Sequence, residues 1–351
     1  MFETINDTLK HKIYSYASSL IITKTKKTCT QLSEAAGVSH DSLYDVLQAH
    51  KMLLPVFPKE LIKLAQQCEQ QENGYLILDD TTIGKRFSTL IEGVVDCYDS
   101  SLQQVVRGLS EVVIAWTNGK VTIPLDFTWW IAEEMCPVGQ YVNKYDLALQ
   151  LIAQVAPNFI LKGVMLDGLY ATAYMITRLN EMKLNFDMRL AKNRVITVGG
   201  ITARISKHPL LALTKNTHGR TVQARWQGIL CYVTAEKRKD RNGAISIVYI
   251  VSNYCDSPRV HIMRYKMRWP IEKFFRTSKQ YLGLKDCQAL SSEKQAVHVY
   301  LIMCAYAYLQ VKACQTQKEC VEDVIKPLRK LKSKQSLRRI MALNQFFEAF
   351  A

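Results

Sequence analysis

The run Tyr75-Leu-Ile-Leu-Asp79-Asp80 places four apolar residues in succession directly before two carboxylates. An apolar run of this length, without helical spacing, reads as a buried strand ending in acids. Strand-like runs follow at Ser88–Val95, Glu111–Trp116 and Val121–Thr128. Turn residues Thr117-Asn118-Gly119 join the last two, which predicts antiparallel meander pairing. Leu147–Val155 then has helical spacing, and Phe159–Leu166 is a second buried strand, closed by Asp167-Gly168. A helix over Tyr170–Met182 and a strand over Phe186–Leu190 complete the series.

Successive strands, then a helix, a strand, a helix and a strand, make the order of an α/β, ribonuclease H-like mixed-sheet core. Between Val195 and Asn253 the pattern changes to short alternating runs broken by Gly and Asn. They lie at Ile201–Ile205, Leu210–Thr214, Thr221–Gln227, Leu230–Ala235 and Ile245–Val251, a β-rich block inside the α/β order. The chain reads as helical again from Pro258 through Leu309. The expected organisation is a helical region over 1–65, a core domain over 70–310 with its β-rich insertion over 195–255, and a basic helical tail over 311–351. That tail contains Lys326-Pro-Leu-Arg-Lys-Leu-Lys332.

A chain of 351 residues, 48% of them hydrophobic, can bury a large core, which excludes disorder as a description of the whole. The longest apolar stretch, Ala296–Ala313, is interrupted by His298, Gln310 and Lys312. It predicts a buried helix rather than a membrane span. No secretory signal pattern opens the chain, so a soluble cytoplasmic protein with no membrane partner is expected. Ten cysteines are scattered singly without a C-x2-C pair, which points to reduced thiols rather than disulfides or zinc ligands. Residues 181–290 carry 21 Lys and Arg against 7 Asp and Glu, nearly all of the chain's net charge of +15. Residues 71–180 are net acidic, with 7 cations against 12 carboxylates. A basic block beside an acidic one suits a polyanion partner whose phosphates are handled by metal-binding carboxylates.

Near the N-terminus, Thr30–Tyr44 has the pattern of a helix-turn-helix. Leu32, Ala35 and Ala36 would pack the first helix, Gly37 would supply the left-handed turn, and Val38 would plug the core. Ser39 would cap the second helix, whose inner face is Leu43, Val46 and Leu47. His40, Asp41, Ser42 and Asp45 would face outward, toward a DNA groove. This segment's net charge is close to zero, so an ordinary helical hairpin is the competing reading.

The densest chemistry lies in Tyr265–Lys279. Tyr265, Arg268, Glu272, Arg276 and Lys279 are spaced 3, 4, 4 and 3, which would set all five on one helical face. Met267, Ile271, Phe274, Phe275 and Leu282 form the apolar side, and Pro270 starts or kinks the helix before Glu272. One carboxylate among three cations and a phenol could be a salt-bridged solvent face. The same set also supplies what phosphoryl transfer on nucleic acid requires. His298, on an apolar helix, reads as a satisfied core histidine rather than a ligand. Trp129 and Trp130 read as core residues. Trp226 fits either core packing or stacking on an unpaired base.

Tyr265-x2-Arg268-x3-Glu272-x6-Lys279 resembles the Y-R-E-K signature of bacterial insertion-sequence transposases of the DDE class, family four. Asp80-Thr81-Thr82 resembles their first catalytic acid, and Asp167-Gly168-Leu169-Tyr170 their second. Asp79 remains open as an alternative to Asp80, because neighbouring strand residues face opposite sides. Gly119-Lys120, Ile123-Pro124-Leu125 and the strand end Arg189-Leu-Ala-Lys192-Asn193-Arg194 are also similar to that group. The likeness covers roughly residues 70–310. It implies a metal-dependent DNA transposase working by cut and paste through a hairpin intermediate. Asp80, Asp167 and Glu272 would be both catalytic acids and ligands of two magnesium ions, for which manganese can substitute. Tyr265, Arg268, Trp269, Arg276, Lys279, Arg189, Lys192, Asn193 and Arg194 would contact DNA. Ser39, His40 and Ser42 of the helix-turn-helix would do the same. The partners implied are double-stranded DNA, as element inverted repeats and target, and a second copy of the chain in the DNA complex, at the nucleoid. A domesticated regulator without catalysis and a junction-resolving nuclease are the competing functions. The first needs no acid triad, and the second lacks the Tyr265–Lys279 helix.

Overall fold

Tyr75 begins the central strand of a mixed sheet. In the computed structural model, which describes residues 5–69, 72–99, 102–239 and 242–330, β1 (Tyr75–Gly84) pairs on both edges. Its antiparallel neighbour is β3 (Gln104–Thr117), and its parallel neighbour is β5 (Gly163–Leu166). On its far edge β3 carries β2 (Val95–Asp99) along its first residues and β4 (Thr122–Trp130) along its last. Beyond β5 comes β6 (Phe186–Leu190), again parallel.

The β-rich block extends this sheet. β11 (Ile245–Ser252) pairs antiparallel with β6, then β10 (Ile229–Lys239) with β11, and β9 (Gly219–Trp226) with β10. β7 (Val195–Val198) and β8 (Ile201–Arg204) close the edge, giving eleven strands in one sheet. Trp226, 2% exposed, is a core residue here and unavailable for stacking on a base.

Five helices precede the sheet: α1 (Asp7–Ile22), α2 (Cys29–Ala36), α3 (His40–Gln48), α4 (His50–Leu53) and α5 (Phe57–Glu69). Gly37 takes the left-handed conformation (φ 68°) between α2 and α3, and the Ser39 hydroxyl caps α3 by accepting from Ser42 N–H. Leu32, Leu43, Val46 and Leu47 are buried as the pattern required, but Val38 is 36% exposed and plugs nothing. The left-handed turn sends it outward. α6 (Lys144–Val155) and α7 (Ala173–Glu181) alternate with the core strands, and α8 (Pro258–Lys266) and α9 (Trp269–Thr277) follow the insertion.

α10 (Ser292–Gln315) is apolar and long enough to cross a membrane, yet most of it is buried inside the fold. It packs on α1, α3, α5 and β4, so the N-terminal helices and the sheet share one hydrophobic core. His298 is fully buried there, with Tyr16 Oη 3.0 Å from Nδ1 and the Gly283 carbonyl 3.0 Å from Nε2. Burial lowers its pKa to about 4, the state of a satisfied neutral histidine. Trp129 and Trp130 are half-buried against the same core. α11 (Glu322–Arg329) holds the described part of the basic tail, and residues 331–351 lie outside the described residues.

Three expected strands differ. Ser88–Val95 is a loop, because the Ser88 hydroxyl accepts from Ile91 N–H and Gly93 has φ 79°; the strand starts at Val95. Leu210–Thr214 yields to a 3-10 turn over Pro209–Leu211, started by the proline and capped by the His208 ring. Only Gly163–Leu166 of Phe159–Leu166 is strand, since a Pro-containing 3-10 turn over Ala156–Asn158 displaces its start. The helix expected from Tyr170 begins at Ala173, where Thr172 caps it.

A buried polar knot fastens the insertion to α8. Asp187 of β6 accepts from Ser252 Oγ of β11 (2.5 Å), from Tyr254 Oη and from His261 Nδ1 of α8 (2.7 Å). His261 Nε2 accepts from Asp256 N–H (3.1 Å), which places the ring proton on Nδ1, facing Asp187. Asp187 and His261 are fully buried, so removing one partner strands the other. His261→Ala is expected to cost about 3 kcal/mol of unfolding free energy in urea titration, and a loss below about 1 kcal/mol would show the knot to be dispensable.

Candidate active site

β5 stops at Leu166 while β1 runs on to Gly84, so the acids of β1 stand beside an open sheet end. Leu78 is the register partner of Leu166, which sets Asp79 and Asp167 side by side at the next step. Asp167 caps the short 3-10 turn Gly168–Tyr170, accepting from Leu169 N–H. A side chain at Gly168 would press within 3.2 Å of the Arg189 carbonyl oxygen, so a glycine lets the β6 end lie this close.

The five spaced residues of the signature do not share one continuous helix. α8 ends at Lys266, the chain turns through Met267-Arg268, and α9 starts with Pro270 in its first turn, where the missing N–H costs nothing. A π-helical turn, Ser278–Leu282, follows and carries Lys279. Ile271, Phe274, Phe275 and Leu282 are buried as expected, with Met267 half-buried. The break turns Arg268 inward. Asp79, Asp80, Asp167, Arg268, Glu272 and Lys279 line one cavity of about 600 Å³.

Arg268 is the electrostatic centre of that cavity. Its guanidinium donates to Asp79 Oδ2 (2.5 Å) and to Glu272, and lies 3.5 Å from Asp167 Oδ1. Burial opposes its charge, but Asp79, Tyr265, Asp167 and Glu272 outweigh that and hold its pKa above the ordinary arginine value. Burial lifts the Asp79 carboxyl to about 7; Arg268 pulls it down, while Asp167 and Asp80 push it up. Asp80 is held apart by Lys144 Nζ (2.5 Å) at the start of α6. The two neighbouring acids line the same cavity but pair with different cations, Asp79 with Arg268 and Asp80 with Lys144.

The remaining sequence candidates are distributed as follows. Tyr265 is almost buried, with the Arg268 guanidinium 5.7 Å from its ring centre. Arg276 is half-exposed and 3.5 Å from Glu322. Trp269 is 51% exposed on the first turn of α9. Arg189, Lys192, Asn193 and Arg194 are all exposed where β6 leaves the Asp167 loop. His40 and Ser39 are exposed on α3 and Ser42 is half-exposed, on an element that does not line the cavity.

Two neighbours of the site carry no signal in the sequence. Lys144 is an ordinary first-turn helix residue until the fold brings it to Asp80. Glu111 of β3 is the register partner of Thr81; it is fully buried, and neither of its oxygens has a hydrogen-bond partner. Burial raises its pKa to about 8, with Lys279 pulling it down. A carboxyl raised in the folded state holds a proton that the unfolded chain has lost, so its neutral form is favoured below pH 8. Stability should therefore fall as pH rises from about 4.5 to about 8. Glu111→Gln is expected to flatten that slope and to stabilise the protein at pH 8 by on the order of a few kcal/mol. Melting curves across pH provide the check, and an unchanged slope would contradict it.

The donor set suits a hard divalent cation: carboxylate oxygens from three separate segments face one cavity. Arg268 already occupies the position of a cation among Asp79, Asp167 and Glu272. With the guanidinium there, no three such side chains among the described residues are close enough to chelate one ion.

Comparison with family models gives two matches. One described as DDE superfamily endonuclease covers residues 1–204, and one described as Transposase DDE domain covers residues 137–308. Curated proteins yield no match. The α/β architecture with its large mixed sheet agrees with these matches, and the chain belongs to the DDE superfamily of metal-dependent endonucleases and transposases.

Proposed function

We propose that this transposase excises a mobile element by cutting both of its ends and joins them to target DNA, with Asp79, Asp167 and Glu272 as the acids that hold magnesium. The observation that carries this reading is the gathering of those three carboxylates around one guanidinium at a single cavity. What supports Asp79 over Asp80 is its register beside Asp167 and its place on the side of β1 that α9 covers. Asp80, tied to Lys144, lines the cavity beside it. Bound magnesium or manganese would supply Lewis-acid stabilisation of charge on the scissile phosphate.

The chain's own side chains do the rest. Lys279, Arg276 and Lys285 line the same cavity and offset the repulsion between carboxylates and a phosphate backbone. Arg268, already between acids and cavity, is placed to exchange a carboxylate for a phosphate oxygen. The Arg189–Arg194 turn offers exposed cations on the Asp167 side, where a duplex backbone would lie. Trp269, exposed on the first turn of α9, offers an aromatic face to a base. Residues 1–65, through Ser39, His40 and Ser42 on α3, would recognise element ends. A second copy bound at the other end would complete a homodimeric complex at the nucleoid. The hairpin intermediate rests on the Y-R-E-K spacing.

Cleavage of a labelled duplex taken from the DNA flanking the gene, with Mg²⁺ and the full-length protein, tests the assignment. Asp79→Asn and Glu272→Gln should each lower cleavage by about two to three orders of magnitude, while binding is kept or improved because a negative charge beside phosphate is removed. Asp80→Asn should have the smaller effect; the reverse ranking would return the first acid to Asp80. If the wild type binds but never cuts, and Glu272→Gln is indistinguishable from it, a non-catalytic DNA-binding regulator is the better account.

A further inference from the structure

A second groove opens beside the catalytic cavity, with Lys285 lining both. Its volume is about 490 Å³, and its wall is the loop after β1 together with residues Lys285, Gln288 and Leu290. This loop presents Phe87, 98% exposed, and Leu90, 74% exposed, on either side of Ser88 and Thr89. This loop is held at several points. Buried Lys85 donates from Nζ to the carbonyls of Lys285 (3.1 Å) and Cys287 (2.6 Å). Arg107 Nε donates to the Ser88 carbonyl (3.0 Å), and Glu92 N–H donates to the Leu290 carbonyl (2.9 Å). The Glu92 carboxylate accepts from both the N–H and the hydroxyl of Ser292, each at 3.0 Å.

The charge of the groove narrows the occupant. Arg86 and Lys285 are exposed along it, and no carboxylate is among its described lining residues. A polyanion with flat apolar groups fits this lining. A second copy of a chain whose net charge is +15 fits it poorly, because two basic surfaces repel. We propose that the groove is a nucleotide subsite: it takes an unpaired nucleotide of the DNA strand next to the reacting phosphate, with its base on Phe87 and Leu90. The adjoining phosphates meet Arg86 and Lys285, and the shared Lys285 guides the strand from one cavity into the other. Preformed loop geometry keeps the ordering cost of binding low. Base stacking is tolerant of sequence, so the subsite accepts any base. This inference rests on the reading of the neighbouring cavity as the site of phosphoryl transfer.

The test compares two probes with full-length protein: a blunt duplex, and the same duplex with a short single-stranded extension carrying 2-aminopurine. Wild type should bind the extended probe more tightly and change its fluorescence on stacking. Phe87→Ala should lose about tenfold in affinity for the extended probe while binding the blunt one as before. Phe87→Trp should restore the preference, and Arg86→Ala should lower the salt dependence by about one ion. Equal binding of the extended probe by wild type and Phe87→Ala overturns the subsite and leaves the catalytic reading standing. If Phe87→Ala instead converts a dimer to a monomer in sedimentation with extended-probe binding unchanged, the patch is a contact between copies and the proposal fails. Failure of the wild type to bind either probe would remove both readings.

Discussion

One guanidinium joins three segments that are far apart in the chain. Arg268 meets Asp79 from β1, Asp167 from the end of β5 and Glu272 from its own helix. Carboxylates crowded into a partly buried cavity repel each other and resist ionisation, and only a cation among them makes the arrangement tolerable. The raised Asp79 carboxyl shows that this compensation is incomplete. A cavity that gathers several carboxylates around one cation is suited to take up further positive charge, which is the demand that a metal-dependent nuclease makes of its carboxylates.

Around this cluster the fold supplies position rather than chemistry. β1 is paired on both edges, so its acids cannot shift along the strand without breaking two ladders. α9 is held from two directions: its apolar side sits in the common core, and α8 ahead of it is fastened to the sheet through His261 and Asp187. The β-rich insertion therefore does more than enlarge the surface. By extending the sheet from β6 it carries the anchor for the segment that turns Arg268 and Glu272 toward the cavity.

The basic excess of residues 181–290 also acquires a place. Four of its cations, Arg268, Arg276, Lys279 and Lys285, line the cavity where the acids are found, and Arg189, Lys192 and Arg194 are exposed at the end of β6 and on the turn after it. Lys285 belongs at once to the acid-lined cavity and to the groove along the loop after β1. That loop is fixed by residues of the 285–292 segment, roughly two hundred positions later in the chain. The two cavities thus share a wall.

Much was legible in the chain itself. Short-range physics decides an apolar run before two acids, the left-handed Gly37, the Ser39 cap and the Pro270 helix start, and these appear where their local patterns put them. The spacing of Tyr265, Arg268, Glu272 and Lys279 also identified the segment that reaches the acids. It did not give the geometry, because a break at Met267-Arg268 replaces one continuous face and brings the Arg268 guanidinium among carboxylates. Register was beyond the chain alone: Asp79 and Asp80 look alike until β1 is laid against β5. Lys144 and Glu111 were invisible for a related reason. A lysine in a helix first turn and a glutamate in a strand acquire meaning only from neighbours tens to hundreds of residues away. Local pattern follows from steric and hydrogen-bonding rules acting over a few residues, whereas the charge environment of a group is set by packing between segments that the linear order keeps apart.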